Sequence, residues 1–293
     1  MDNQTLLSQG GKLPDGADLL ILDRRRRSLD SIAEMVGQMV VTRYYEVTSP
    51  LGAAVWVAAV RMPNSAMLQL PKVLGNQYTR ILDRFYLPAI PDPAVAVALF
   101  NICAEGYESL VNVEQNLSTI VRLLSLVVDR TNKGSCCILD FGCGTGLSQR
   151  ALAQMAAKYS NIQLLGTDPS PAMLAHAEKR GMPVLSWTEW RTSTERRFDG
   201  VIASYVLHFG ITDENLLLLF RQITPSGVFV ANFHGAQSSQ LGSMEARLRR
   251  LGVQTTVLPE ENRTEGPIII CRPLRSRVAI ESSSELSETE DIP

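Results

Sequence analysis

Two periodicities divide the chain near residue 134. Ahead of it, apolar positions recur at three- and four-residue spacing, as in helices that bury one face. From a cap at Ser28 or Asp30, Ile32, Met35, Val36, Met39 and Val40 share such a face. Leu74 to Leu87 predicts a second amphipathic helix, stopped by Pro88 and Pro91. Asp92-Pro93 opens a third through Phe100 and Cys103. Glu105 to Val128 predicts a long fourth, with Leu110, Val113, Leu117, Ile120, Val121, Leu124 and Val127 along one side. Leu51 to Arg61, small and apolar, suits a buried helix or a strand equally well.

Beyond Thr131-Asn132-Lys133-Gly134-Ser135, short apolar runs alternate with helical stretches, the pattern of a doubly wound sheet. The runs are Ile138 to Phe141, Asn161 to Gly166, Pro183 to Trp187, Phe198 to Ser204 and Val228 to Phe233. Between them lie Leu147 to Lys158, a helix starting near Pro169, and Asp213 to Ile223; Ser238 to Leu251 follows, ended by Gly252. Val253 to Leu258 and Pro267 to Cys271 then pair as a terminal antiparallel hairpin.

The first run ends in a carboxylate and a glycine turn, Ile138-Leu139-Asp140-Phe141-Gly142-Cys143-Gly144-Thr145-Gly146. Glycine lets a backbone bend sharply and approach a ligand with no Cβ in the way. A dinucleotide fingerprint would be G-x-G-x-x-G; here the order is G-x-G-x-G, with Leu147 at the place of the third glycine. Asp140 would repel a phosphate and suits an ammonium group. About 20 residues on, where an acidic side chain holds a ribose diol, stands Asp168. Asp168 also suits a cap of the helix near Pro169, and the two roles are compatible.

These strings resemble the class I S-adenosylmethionine-dependent methyltransferases. The glycine turn resembles that family's motif I, Gly166-Thr167-Asp168-Pro169-Ser170-Pro171-Ala172-Met173-Leu174 its G-x-D-x-S-x-x-M-L, and Phe198 to Gly210 its motif IV. The resemblance covers about Cys136 to Arg272. It implies an α/β fold: a doubly wound, Rossmann-like seven-stranded sheet with a C-terminal antiparallel hairpin, preceded here by a mostly helical N-terminal region. The implied organisation is a flexible N-terminus (1–27), a helical cap or dimerisation region (28–133), the S-adenosylmethionine-binding domain (134–275) and an acidic, disordered tail (276–293).

The resemblance also implies site roles. Gly142, Gly144 and Gly146, with Asp140, would run along the methionine portion of S-adenosyl-L-methionine. Asp168 would meet the ribose, Pro169 beside it would be among the cofactor-binding residues, and Met173 would meet the adenine, opposite Trp187, Thr188 and Glu189. Ser204 would line the cofactor's middle, and Tyr107 would lie over its methionine end. S-adenosyl-L-homocysteine would be the product. Methyl transfer from a sulfonium is an in-line displacement that alignment alone can accelerate. Where the acceptor needs a base, His208 and His234, each following a strand, are the candidates; His176 lies within a crossover helix. Tyr78 and Tyr86 suit either an acceptor pocket or a core. No metal site is expected. The acceptor would be a small organic molecule, with a role in biosynthesis, methylated on O, N or C.

The 28 Lys and Arg stand against 30 Asp and Glu, too even a balance for a nucleic-acid partner. The run Arg24 to Arg27 suits a solvated turn or a partner-facing patch. Five cysteines without paired CxxC spacing read as reduced thiols of a cytoplasmic protein, and Leu51 to Val60 is about half a membrane span. Neither nucleic acid nor membrane is expected as a partner, whereas a homodimer through the N-terminal helices is. Two other readings keep the fold: a cyclisation or rearrangement on the same cofactor, and a non-catalytic partner-binding module.

Overall fold

The computed structural model describes residues 17–36, 40–61, 70–131, 135–155, 159, 161–193, 195–234, 240–258 and 266–273. The acidic tail at 276–293 and most of the flexible N-terminus lie outside the described residues.

The chain opens with β1 (Leu19–Asp23), α1 (Arg26–Val36), β2 (Val40–Thr48), β3 (Ala54–Arg61), α2 (Leu70–Leu74), β4 (Tyr78–Ile81) and β5 (Phe85–Pro88). The five strands form one sheet of order β2-β3-β1-β5-β4, antiparallel except where β1 runs parallel to β5. Leu19, Ile21, Ala58, Val60, Tyr78 and Tyr86 pack there with Leu29, Ile32, Leu70 and Leu74 in one buried cluster. The helical expectation fails over this stretch. Helix α1 stops at Val36 and Val40 already belongs to a strand. Leu74 to Leu87 is chiefly a hairpin, since Tyr78, Phe85, Tyr86 and Leu87 favour a pleated, buried surface. Its turn uses no glycine. Leu82 and Asp83 are left-handed (φ 49° and 57°), and Arg80 Nε donates to the Asp83 carbonyl at 2.9 Å.

From Pro93 the chain is helical as expected: α3 (Pro93–Cys103), α4 (Tyr107–Leu110) and α5 (Val113–Thr131). Asp92 caps α3 by accepting from Ala94 N–H at 2.9 Å. The predicted long helix is broken at Val111-Asn112, because Asn112 Oδ1 accepts Gln115 N–H at 3.1 Å and starts α5 afresh.

Then follow β6 (Cys136–Phe141), α6 (Leu147–Met155), β7 (Ile162–Asp168), α7 (Pro171–Lys179), β8 (Val184–Ser186), α8 (Trp187–Thr192), β9 (Phe198–Ser204), α9 (Asp213–Arg221), β10 (Ile223–Asn232), α10 (Leu241–Arg250), β11 (Val253–Leu258) and β12 (Ile268–Pro273). The seven-stranded sheet has the order β11-β12-β10-β9-β6-β7-β8. β9 pairs in parallel with β6 and with β10, while β12 runs antiparallel to both β10 and β11. The order reverses between β6 and β9, and at such a switch point the carboxyl ends of the strands leave a crevice for a ligand.

Two compact units result. One gathers the chain up to Leu117 with Cys143–Leu147 and Thr167–Trp187; the other gathers Ser118–Gly142, Ser148–Gly166 and the chain from Thr188 onward. No single described helix is long and apolar enough to cross a membrane.

Candidate active site

In the first unit the glycine turn is tied to the end of β7. Cys143 N–H donates to the Thr167 carbonyl at 3.0 Å, and Gly144 N–H donates to Asp168 Oδ2 at 3.0 Å. The other carboxylate oxygen, Oδ1, accepts Ser170 N–H at 2.8 Å. Ser170, rather than Asp168, caps α7, accepting from Met173 N–H at 3.3 Å. Asp168 is 8% exposed, and burial pushes its carboxyl up to about 6 although the two N–H donors pull it down. A buried carboxylate held by two amides, with lone pairs to spare, can accept from a pair of hydroxyls.

The three glycines differ. All have positive φ (76°, 54° and 78° for Gly142, Gly144 and Gly146). A Cβ on Gly142 would meet Val206 Cγ2 at 2.4 Å, and one on Gly146 would meet Ala177 Cα at 2.9 Å; on Gly144 it would meet nothing within 4 Å. Protein packing therefore demands glycine at the first and third positions, and Gly144 alone faces open space.

In the second unit Asp140, 3% exposed, accepts a close hydrogen bond from Ser148 Oγ in the first turn of α6. The motif IV aspartate is structural: Asp199 Oδ2 accepts Cys137 N–H at 3.0 Å and ties β9 to β6. At the end of β9, Ser204 Oγ is buried with no hydrogen-bond partner. Tyr205 follows in the left-handed region (φ 58°), a costly conformation for a side chain of its size. Its N–H donates to Oδ1 of the fully buried Asn232 at 3.0 Å, its hydroxyl lies 3.1 Å from Thr119 Oγ1, and its ring sits 6.1 Å from that of His234.

The two candidate bases have opposite surroundings. His208 lies in a short 3₁₀ turn, buried, with Nδ1 lacking a partner; burial first, then the nearby His234, lowers its pKa to about 3. It is neutral and a weak proton acceptor at neutral pH. His234, just past β10, is exposed.

The remaining expected residues fall as follows. Tyr107 begins α4 half-buried, its ring edge-on to Phe100 at 6.1 Å. Pro169 is half-buried, and Met173 is buried in α7. Trp187, Thr188 and Glu189 form the first turn of α8 and no part of a strand, Thr188 and Glu189 being exposed. His176 is half-buried in α7. Tyr78 and Tyr86 belong to the first sheet's core, where the Tyr78 hydroxyl donates to Asp23 Oδ2 at 2.5 Å. The arginine run is engaged: Arg26 stacks on Tyr44 and Trp56, and Arg24 lies 3.8 Å from Asp92. Among the described residues no cluster of three or more His, Cys, Asp or Glu side chains suits a metal ion.

Sequence reading missed Asn101, Glu108, Thr119, Tyr205 and Asn232. Only Tyr205 carried a hint, by its place next to Ser204; the others bear on the site through partners far away in sequence.

A mixed sheet whose strand order reverses between β6 and β9 is an open α/β sheet of the kind that binds ligands at the carboxyl ends of its strands. Residues 138–226 match the family model described as a methyltransferase domain, the same stretch that holds the glycine turn and Asp168. Solved structures are similar to part of the chain. DesVI of Streptomyces venezuelae is 17% identical with a TM-score of 0.43, covering 55% of this chain and 92% of that one. An S-adenosylmethionine-dependent methyltransferase from Clostridium acetobutylicum is 13% identical, with a TM-score of 0.41 over 57% of this chain and 94% of that one. Magnesium protoporphyrin IX methyltransferase from Synechocystis is 17% identical, with a TM-score of 0.42 over 55% and 81%. Similarity at this level says nothing of the acceptor. A search of curated proteins returned no match.

Proposed function

We propose that this enzyme methylates a small organic acceptor, with Asp168 holding the ribose hydroxyls of S-adenosylmethionine. The observation that carries the reading is the buried Asp168 carboxylate, fixed by Gly144 and Ser170 N–H groups beside the one glycine of the turn that faces open space. The donor set fits the cofactor: carboxylates for hydroxyl and ammonium groups, and no side chain placed to neutralise a pyrophosphate in the turn itself. When bound, the cofactor supplies a methyl group on a positively charged sulfur.

The residues would divide the work as follows. Asp140 would take the ammonium end and the glycine turn the methionine portion. In the first unit Pro169 and Met173 would meet the nucleoside and Tyr107 the methionine end; the second unit would contribute Thr188, Glu189 and the orphaned Ser204 hydroxyl. On the acceptor's side, Tyr205 and His234 would frame the acceptor. His234, exposed just past β10, would take the proton of a phenol or ammonium; His208, kept neutral by burial, would orient and not ionise. Residues 28–133 would cover the acceptor or join two copies. Oxygen, nitrogen and carbon acceptors fit these residues equally.

The test is calorimetric titration with S-adenosylhomocysteine, followed by release of that product from S-adenosylmethionine over a panel of small phenols, amines and carbon acids. Micromolar binding and acceptor-dependent product release are expected. Absence of binding would overturn the cofactor reading. Binding with a rearranged substrate and no product release would favour a cyclase.

A further inference from the structure

Helix α3 reads Pro-Ala-Val-Ala-Val-Ala-Leu-Phe-Asn-Ile-Cys, and seven of its residues are buried. Asn101 is its one amide, and a polar group in such company is costly without partners. It has two. Asn101 Oδ1 accepts from Ser170 Oγ at 3.2 Å and from Ala172 N–H at 3.3 Å. The amide N–H of Ala172 can only donate, which fixes the oxygen of Asn101 toward it. The Ala172 N–H is an otherwise unpaired donor in the first turn of α7, and the Ser170 hydroxyl, while donating to Asn101, accepts from Met173 N–H. Ser170 N–H in turn donates to Asp168.

A second contact reaches the glycine turn from the same stretch. Glu108 Oε1 accepts from Thr145 Oγ1 at 3.1 Å and takes a close hydrogen bond from Arg180 Nη2. Thr145 is 3% exposed. Residues 93–110 therefore hold both pieces that converge on Asp168: the turn that offers Gly144 N–H, and the cap that offers Ser170 N–H.

We propose that Asn101, supported by Glu108, is a positioning residue of the cofactor site, fixing the Ser170 cap so that the Asp168 carboxylate is set for the ribose before the cofactor arrives. This rests on the reading of Asp168 as the ribose carboxylate. Its energetic form is pre-organisation: a carboxylate already oriented costs less to order on binding.

The experiment is calorimetric titration of the full chain with S-adenosylhomocysteine, with urea unfolding alongside. Asn101→Ala is expected to weaken binding about tenfold, as for one or two lost hydrogen bonds. Asn101→Asp keeps an acceptor oxygen for both donors and should bind within about threefold of wild type. In an Asp168→Asn background, Asn101→Ala should add little, since both act through one carboxylate. Should Asn101→Ala not fold, Asn101→Asp against Ser170→Ala gives the same contrast, the latter weakened. Wild-type affinity in Asn101→Ala, whatever its unfolding midpoint, would overturn the proposal and make Asn101 a residue of the fold alone. So would full additivity with Asp168→Asn. Failure of the wild-type chain to bind S-adenosylhomocysteine would strike the cofactor reading instead.

Discussion

The two sheets of this protein finish their polar groups differently. In the five-stranded sheet Asp23 takes the Tyr78 hydroxyl and the Arg25 N–H, and Arg26 is spread over two aromatic rings. Among the described residues, the buried side-chain nitrogens and oxygens that lack a partner all lie between Thr167 and Thr224, on or near the seven-stranded sheet. Thr167 Oγ1, Ser204 Oγ and His208 Nδ1 sit at or just beyond strand ends, and the left-handed Tyr205 sits with them. Burying a polar atom without a partner costs free energy, and other such atoms lie in or beside helices, at Asn215 and Gln222, and at the start of β10, at Thr224. The first sheet is built to be stable. The second gives up some stability at its strand ends.

The contrast is broken most sharply at Asp168. Asp168→Asn removes the acceptor charge while preserving shape, and S-adenosylhomocysteine affinity is expected to fall by about 10- to 100-fold, as charge-assisted hydrogen bonds weaken. Wild-type affinity should rise as pH climbs through about 6, where the buried carboxyl ionises, and the variant should show no such rise. The stability change has the opposite sign. A carboxyl whose folded pKa is raised above its ordinary 3.8 contributes stability below that value and loses it as pH climbs through about 6. The always-neutral asparagine escapes that loss but turns its NH2 toward one of the two backbone N–H donors, so its melting temperature should vary less between pH 5 and 7.5 than that of wild type. A variant both less stable and unchanged in affinity would move Asp168 into the fold.

The glycine turn sharpens the same contrast within six residues. Gly142→Ala drives a methyl group into Val206 and also strains a left-handed backbone, with an expected cost of about 2–4 kcal/mol in urea unfolding. Gly144→Ala meets no atom and should cost only the backbone strain, about 1–2 kcal/mol, yet it should weaken S-adenosylhomocysteine binding more per unit of stability lost. Equal ratios of binding loss to stability loss in the two variants would mean that Gly144 is as structural as Gly142.

The legible parts of the fold are those whose signal is local. The glycine turn, the acidic end of β7 at Asp168, the helix start at Asp92 and the alternation of strands and helices beyond residue 134 are each written within a few adjacent residues, whereas the cap of α7 falls on Ser170 and not on Asp168. The hairpin of β4 and β5 was hidden because its turn uses Leu82 and Asp83 in place of glycine, stabilised by a contact from Arg80. The break at Asn112 was hidden because the apolar face continues across it. Asn101 and Glu108 were invisible for another reason: their partners lie about 40 to 70 residues away, and no pattern in either segment announces the other. His208 was found by its place in a string, but its sequence gave no sign that burial would keep it neutral.

Tyr205 is the smallest and most delicate test. Tyr205→Phe keeps the ring beside His234 and the backbone turn held by Asn232, and removes only the hydroxyl shared with Thr119. The expected cost is about 0.5–1.5 kcal/mol in urea unfolding, since Thr119 is left 1% exposed with its hydroxyl bond gone. S-adenosylhomocysteine affinity should stay within about twofold of wild type. Tyr205→Gly relieves the left-handed strain, which offsets the lost contacts. If the glycine variant proves more stable than the phenylalanine one, the protein tolerates strain at Tyr205 in order to hold a ring at the end of β9. That outcome would extend to the backbone the cost already visible in the orphaned side chains of the same strand ends. The reverse order would show that the packing of the ring outweighs the left-handed strain, which makes Tyr205 a residue of the fold.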